Sequence, residues 1–134
     1  MWPFKKTIQP TPVKVGATTA VFSQHTKEWE FDFEGIAFIL DKKEFDEEAV
    51  RWASDLIPMI RDLEADIVSQ AKAAIDDEDG LINVDSVEML SVDLTDYLSE
   101  RIATINYTGD HTWGDLGVMV SLKDGMILGV DAGD

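Results

Sequence analysis

The chain has 134 residues and a mass of 14.9 kDa, and 45% of its residues are hydrophobic, the size and apolar content of one packed domain. Eleven Lys and Arg stand against 27 Asp and Glu, a formal net charge of −16, which disfavours phosphate backbones and so nucleic acid as a partner. Cysteine is absent, excluding disulfides, thiolate zinc sites, iron–sulfur clusters and a cysteine nucleophile.

No apolar run approaches the roughly 18 residues of a membrane span, and Met1 to Gly16 lacks the apolar core of a secretory signal, so a cytoplasmic protein with no membrane partner is expected. Residues 1–16 read as an extended basic arm, with Lys5, Lys6 and Lys14 but no acid, and with Pro3, Pro10 and Pro12 removing backbone donors. Trp2 and Phe4 give the arm a hydrophobic tip able to dock on the body or on a partner. Residues 17–134 are expected to form a single α+β domain.

From Thr18 the chain turns strand-like. After a polar break at His25 to Lys27, Trp29, Phe31 and Phe33 alternate with Glu30, Asp32 and Glu34, the period of a half-buried antiparallel strand. Gly35 then reads as a bulge, or else the apolar run Ile36 to Leu40 is the end of this strand covered on both faces.

Between Phe45 and Ile75 the residues Ala49, Trp52, Ala53, Leu56, Ile60, Leu63, Ile67, Ala71 and Ala74 recur three or four apart, one stripe along a helix. Such a helix is roughly 45 Å long, more than a domain of this size is wide, so Pro58 is expected to kink or split it. It closes on Asp76-Asp77-Glu78-Asp79-Gly80. Asp85 and Glu88 have the spacing of a capping box, predicting a second, short helix from near Ser86 to about Leu90, with 91–98 open between helix and strand. Ile102–Tyr107, Leu116–Leu122 and Met126–Val130 read as strands, the last two joined by a tight hairpin at Asp124-Gly125. The expected architecture is an antiparallel sheet, made from an N-terminal hairpin and C-terminal strands, with a long kinked helix and a short second helix packed on one face.

Chemistry is sparsely signalled. Aligning Gly80 with the glycine of a calcium loop puts Ile75 and Ser86 where carboxylates are required, so that motif fails. No serine sits in a G-x-S-x-G elbow, and phosphate-cradling glycine motifs are absent. The loop Gly109 to Gly114 gathers Asp110, His111 and Trp113, with Asp115 just beyond. These residues read either as a polar turn anchored by Trp113 or as a metal or acid–base site. No resident cofactor or metal is expected.

The strongest signal is acidic. Residues 44–79 hold twelve acids against Arg51, Arg61 and Lys72. Like charges three or four apart cost a few tenths of a kcal/mol each on a helix, so Glu44, Glu47, Glu48, Asp62, Asp66, Asp76, Asp77 and Asp79 form a candidate surface for a basic protein partner.

An aromatic strand, a long helix, a shorter helix, and strands carrying Thr112-Trp113-Gly114-Asp115 before a terminal Ala132-Gly133 resemble small acidic bacterial domains of unknown function. Those in turn are similar in style to immunity proteins that neutralise toxins. The resemblance implies a non-catalytic interaction module that captures a basic partner through an acidic helical face, and it transfers no specific residue. The alternative is a metal-assisted hydrolase or small-ligand binder around the Gly109–Gly114 loop. A third reading is a tethering subunit docked through Trp2 and Phe4.

Overall fold

The alternation of Trp29 and Phe31 with Glu30 and Asp32 does produce a strand, β3 (Glu28–Phe33), with its two aromatic rings buried and its acids exposed. It belongs to a computed structural model that describes residues 10–133. Before it come β1 (Val13–Val15) and β2 (Thr18–Ser23); after it come β4 (Ile36–Leu40), α1 (Glu48–Ala73), β5 (Glu88–Asp93), α2 (Tyr97–Glu100), β6 (Ile102–Thr108), β7 (Gly117–Lys123) and β8 (Met126–Gly133). All eight strands join one sheet in chain order. Every neighbouring pair is antiparallel except β4 and β5, which α1 joins as a parallel crossover.

Gly35 does not make a bulge. Glu34 and Gly35 both take positive φ, 50° and 80°, and form a two-residue turn that pairs Phe33 with Ile36. Such a turn matches the twist of antiparallel strands, so Ile36–Leu40 folds back as a separate strand. Asp124 and Gly125 repeat the geometry at φ 52° and 75°, pairing Lys123 with Met126 as expected. The expected N-terminal hairpin is thus a four-stranded meander. Val13–Val15, at the inner end of the predicted arm, supplies its edge by pairing with β2 across Gly16-Ala17. The Trp2, Phe4, Lys5 and Lys6 part of that arm lies outside the described residues.

The short second helix exists, but at Tyr97–Glu100, ended by Arg101 in the left-handed region. The residues predicted for it, Ser86–Leu90, instead leave a single 3-10 turn (Val84–Ser86) and enter β5. The capping box does not form: Glu88 pairs with Thr108 as the first residue of β5, and the residues before it have other partners. Asp85 pairs with Lys72 at 3.0 Å, and the Ser86 hydroxyl donates to the Asn83 carbonyl at 2.7 Å while accepting from the Asp110 amide at 2.9 Å.

α1 runs unbroken through Pro58 for 26 residues, about 39 Å. The split expected from its length does not occur because the sheet is also long: eight strands at about 4.8 Å spacing span about 34 Å, and α1 touches both β3 near one side and β7 and β8 at the other. Pro58 sits on the exposed side of the helix, as does Ser54, whose carbonyl would accept the N–H that proline lacks. Beneath the helix, Trp52, Leu56, Ile60 and Ile67 pack on Phe31, Phe38, Leu40, Ile105 and Val120, all buried. Each large side chain contributes roughly 1.5–3 kcal/mol on burial. Phe31 and Phe38 stack at 5.3 Å across β3 and β4, which fixes that register from the core side.

Candidate functional site

A strand presents successive side chains to opposite faces, and α1 covers one face of this sheet. On the other, two shallow depressions of about 560 and 580 Å³ run together through shared Leu90 and Asn106. One is lined by β2, β3, β4 and β5, including Val21, Glu30, Asp32 and Ile39; the other by β5 to β8 and the loop before β7, including Asp115, Met119 and Asp131.

The exposed apolar side chains on this face include Val21 at 44%, Met119 at 49% and Leu90 at 62% exposure. Their exposure follows from register. Val21 pairs with Glu30, and Met119 pairs with Asn106 and Asp131, so each lies on the face away from α1. Leu90 is put there by a bulge: Met89 pairs with Tyr107 and Ser91 with Asn106, leaving Leu90 as the extra residue. Asn106 is fixed between them by donating to the Ser91 hydroxyl at 3.0 Å. Five carboxylates, Glu28, Glu30, Asp32, Asp115 and Asp131, line the two depressions; among the described residues no Lys or Arg lines them, and Lys14, paired with Thr19, lies at the β1 edge of the same face.

The acids crowd at the β3 end. Burial first, and then the negative charges of Asp93, Asp41 and Glu30, push the Glu28 carboxyl above its ordinary value, against an opposing hydrogen bond from Thr26. Like charges held this close favour a cation among them.

The acids predicted as a partner surface do not form one patch. Glu48, Asp62 and Asp66 share an exposed stripe of α1 with Asp55, since spacings of seven and four return to the same side of a helix. Glu44 and Glu47 precede the helix, and Asp76, Asp77 and Asp79 follow it, so the set spreads over roughly 40 Å. Asp77 closes a turn, its carboxylate accepting from the Leu81 and Ile82 amides at 2.8 and 3.2 Å, and Glu48 pairs with Arg51 at 2.9 Å. None of the large exposed hydrophobic residues lies on α1.

The loop from Gly109 to Gly114 is tied to the segment after α1. Trp113 is buried and its indole N–H donates to the Asn83 carbonyl at 2.8 Å. The Asp110 carboxylate accepts from the Thr112 amide at 3.0 Å, from the Thr112 hydroxyl, and from the Asn83 side-chain amide at 3.0 Å. The Thr112 hydroxyl, then the Asn83 amide, hold its carboxyl below the ordinary value. His111 is exposed, and Asp115 faces the open sheet face rather than joining Asp110. Among the described residues no three of Asp, Glu and His come together as a metal-binding group.

No protein-family model, curated protein or solved structure matches the chain. Among the described residues no helix is long and apolar enough to cross a membrane.

Glu30 and Asp32 were visible as the polar half of an alternating pattern, yet sequence reasoning treated them only as solvent-facing, and Glu28 was not singled out. Val21, Leu90 and Met119 gave no signal at all. Which apolar residue a sheet leaves uncovered depends on where the single helix lies.

Proposed function

We propose that the protein is a non-catalytic interaction module, of immunity type, that captures a basic protein partner. The observation that carries this reading is the open sheet face, where exposed Val21, Leu90 and Met119 lie on a surface lined by five carboxylates. Exposed apolar side chains set among charges are the composition of a protein contact, in which apolar anchors supply the desolvated centre and charges select the partner. The stripe on α1 has charge without apolar anchors, which suits steering at long range better than a buried contact. The carboxylate of Asp110 is already engaged by Thr112 and Asn83, which favours a structural turn over a hydrolytic centre.

The test is capture from the native host by the full chain, followed by binding kinetics of the captured protein. A basic partner is expected. Its on-rate should fall as the Debye length contracts from about 30 Å at 0.01 M to about 10 Å at 0.1 M salt. Charge reversal of Glu48, Asp55, Asp62 and Asp66 to Lys should slow association, whereas Leu90→Asp with Met119→Asp should speed dissociation. An acidic partner, or a complex indifferent to the paired substitutions on the sheet, overturns the proposal.

A further inference from the structure

We propose that the outer edge of β8 accepts an added strand: an extended segment of the basic partner pairs with residues 129–133, setting aliphatic side chains on the α1 side of the sheet and Lys or Arg side chains on the open face. The inference rests on the reading of the protein as a module for a basic partner and adds how that partner is gripped.

The two edges of the sheet differ. Among the described residues β1 and β8 each have one neighbouring strand. β1 is blunted in the ordinary ways, three residues long with exposed Lys14 at its centre and Pro12 just before it. β8 has eight residues, the longest strand of the sheet, with no Lys, Arg or Pro and a single charge, Asp131. A bulge at Leu128, the extra residue between the Leu122–Ile127 and Ser121–Gly129 pairs, interrupts its first half, but residues 129–133 pair one to one with 117–121. Every second residue of that stretch turns its N–H and C=O away from β7, and a strand is the partner that satisfies such a row.

The side chains say which strand. Val130 and Ala132 pair with Val120 and Val118, which are buried beneath α1, yet Val130 is half-buried and Ala132 exposed, so the core stops short at this edge. Aliphatic side chains on an added strand would continue it. On the open face the same stretch reads Gly129, Asp131 and Gly133, opposite Ser121, Met119 and Gly117. Gly129 and Gly133 meet nothing within 4 Å where a Cβ would stand and neither takes positive φ, so neither packing nor turn geometry among the described residues calls for glycine there. Glycines so placed suit the close approach of another backbone. They leave the Asp131 carboxylate flanked by bare backbone, with Asp115 in the same depression, and a Lys or Arg side chain from the added strand can reach both. Lys123 lies beside Met126 at the hairpin end, so the basic side chains belong at the other end of the edge. A second copy brings the wrong charge, another Asp131 and a net −16 against −16.

The probe is a capped seven-residue peptide alternating Lys and Val, titrated into the full chain with amide NMR and hydrogen exchange as readouts. Shift changes should centre on residues 129–133, with exchange slowed about tenfold or more at every second amide of that stretch and unchanged at Val13–Val15. Methylating the peptide nitrogens at the Lys positions alone, or at the Val positions alone, should give unequal results: one set faces the edge and costs about tenfold or more in affinity, the other faces away and is tolerated. Asp131→Lys should move the preference from this peptide to one alternating Glu and Val. Two methylated peptides that bind alike, shift changes centred on Glu48 and Asp62, no binding, or an unchanged preference in Asp131→Lys overturn the inference. So does a dimer of the chain alone that protects residues 129–133 and strengthens with salt, because the occupant is then a second copy. Failure of the two readings is separable: a basic partner captured through Leu90 and Met119 by a chain whose β8 edge ignores the peptide removes this inference alone, and a peptide held at β8 with no basic partner in the host removes the proposed function alone.

Discussion

The Trp113 indole N–H donates to the Asn83 carbonyl at 2.8 Å, across 30 residues of sequence, and so joins the loop before β7 to the connection that follows α1. The indole also lies over Gly109, where any Cβ would overlap it. This explains why the most distinctive string in the sequence reads like a site and is built as a brace: its polar residues hydrogen-bond to Asn83 and Ser86, and its aromatic residue fills the core.

Gly109→Ala should therefore destabilise the protein by about 1–3 kcal/mol, the usual cost of forcing an extra carbon into packed surroundings. His111→Ala, an exposed change in the same loop, should cost less than about 0.5 kcal/mol. Urea unfolding of the two variants checks the contrast, and equal effects would mean that the indole does not pack on Gly109.

Tyr107 is 3% exposed, and among the described residues its hydroxyl has no hydrogen-bond partner. Burial, with the charge of Glu64 adding, pushes its ionisation up to about 12. A buried hydroxyl without a partner carries a desolvation cost, so Tyr107→Phe should raise unfolding free energy by about 1 kcal/mol. Denaturant midpoints decide it, and a loss of similar size would mean that the hydroxyl is hydrogen-bonded in solution.

Two carboxyls should give opposite pH signatures. Glu28 has its folded value raised above the ordinary 4.5, so the folded state holds its proton longer and the site loses stability as pH rises through that raised value. Glu28→Gln should then be more stable than wild type at pH 7, by a few tenths of a kcal/mol as for exposed like-charge pairs, with the advantage gone below about pH 4.5. Asp110 has its folded value lowered below 3.8, so its contribution is complete above that pH and is lost as pH falls through the lowered value. Asp110→Asn should cost stability at neutral pH and cost less in acid. Thermal unfolding of both variants from pH 3 to pH 7 measures the two slopes.

Pro58 interrupts the hydrogen bonding of a helix that nevertheless stays continuous, on a side that faces solvent. Pro58→Ala restores the bond to Ser54 and removes the ring, and should add up to about 3 kcal/mol. The denaturant midpoint should rise without a change in slope. An unchanged midpoint would show that packing on the sheet already absorbs the whole penalty.

Local chemistry was legible in the sequence wherever one periodicity or one turn decided the outcome. The stripe from Ala49 to Ala71 is a helix because only a helix brings those residues to one side, and Asp124-Gly125 is a hairpin because both positions accept positive φ. Glu34-Gly35 makes the same turn, but the continuous apolar run after Gly35 concealed it: β4 puts apolar Ala37 and Ile39 on the open face as well as Ile36, Phe38 and Leu40 on the core face, so its buried and part-exposed positions do not differ in polarity. Ser86 to Leu90 was misread as helix because Asp85 and Glu88 satisfy a local pattern, whereas in the fold Asp85 pairs with Lys72, Ser86 accepts from the Asp110 amide, and Glu88 to Asp93 pair with β6, partners that only folding brings near. The open face was the least legible feature. Leu90 is exposed through a bulge set by its pairing with β6, and Met119 and Val21 because one helix can cover only one side of eight strands. Charge and periodicity are properties of neighbours along the chain and survive in the sequence. Which face is left uncovered is a property of strand order and crossover, and those are chosen by contacts between residues far apart in it.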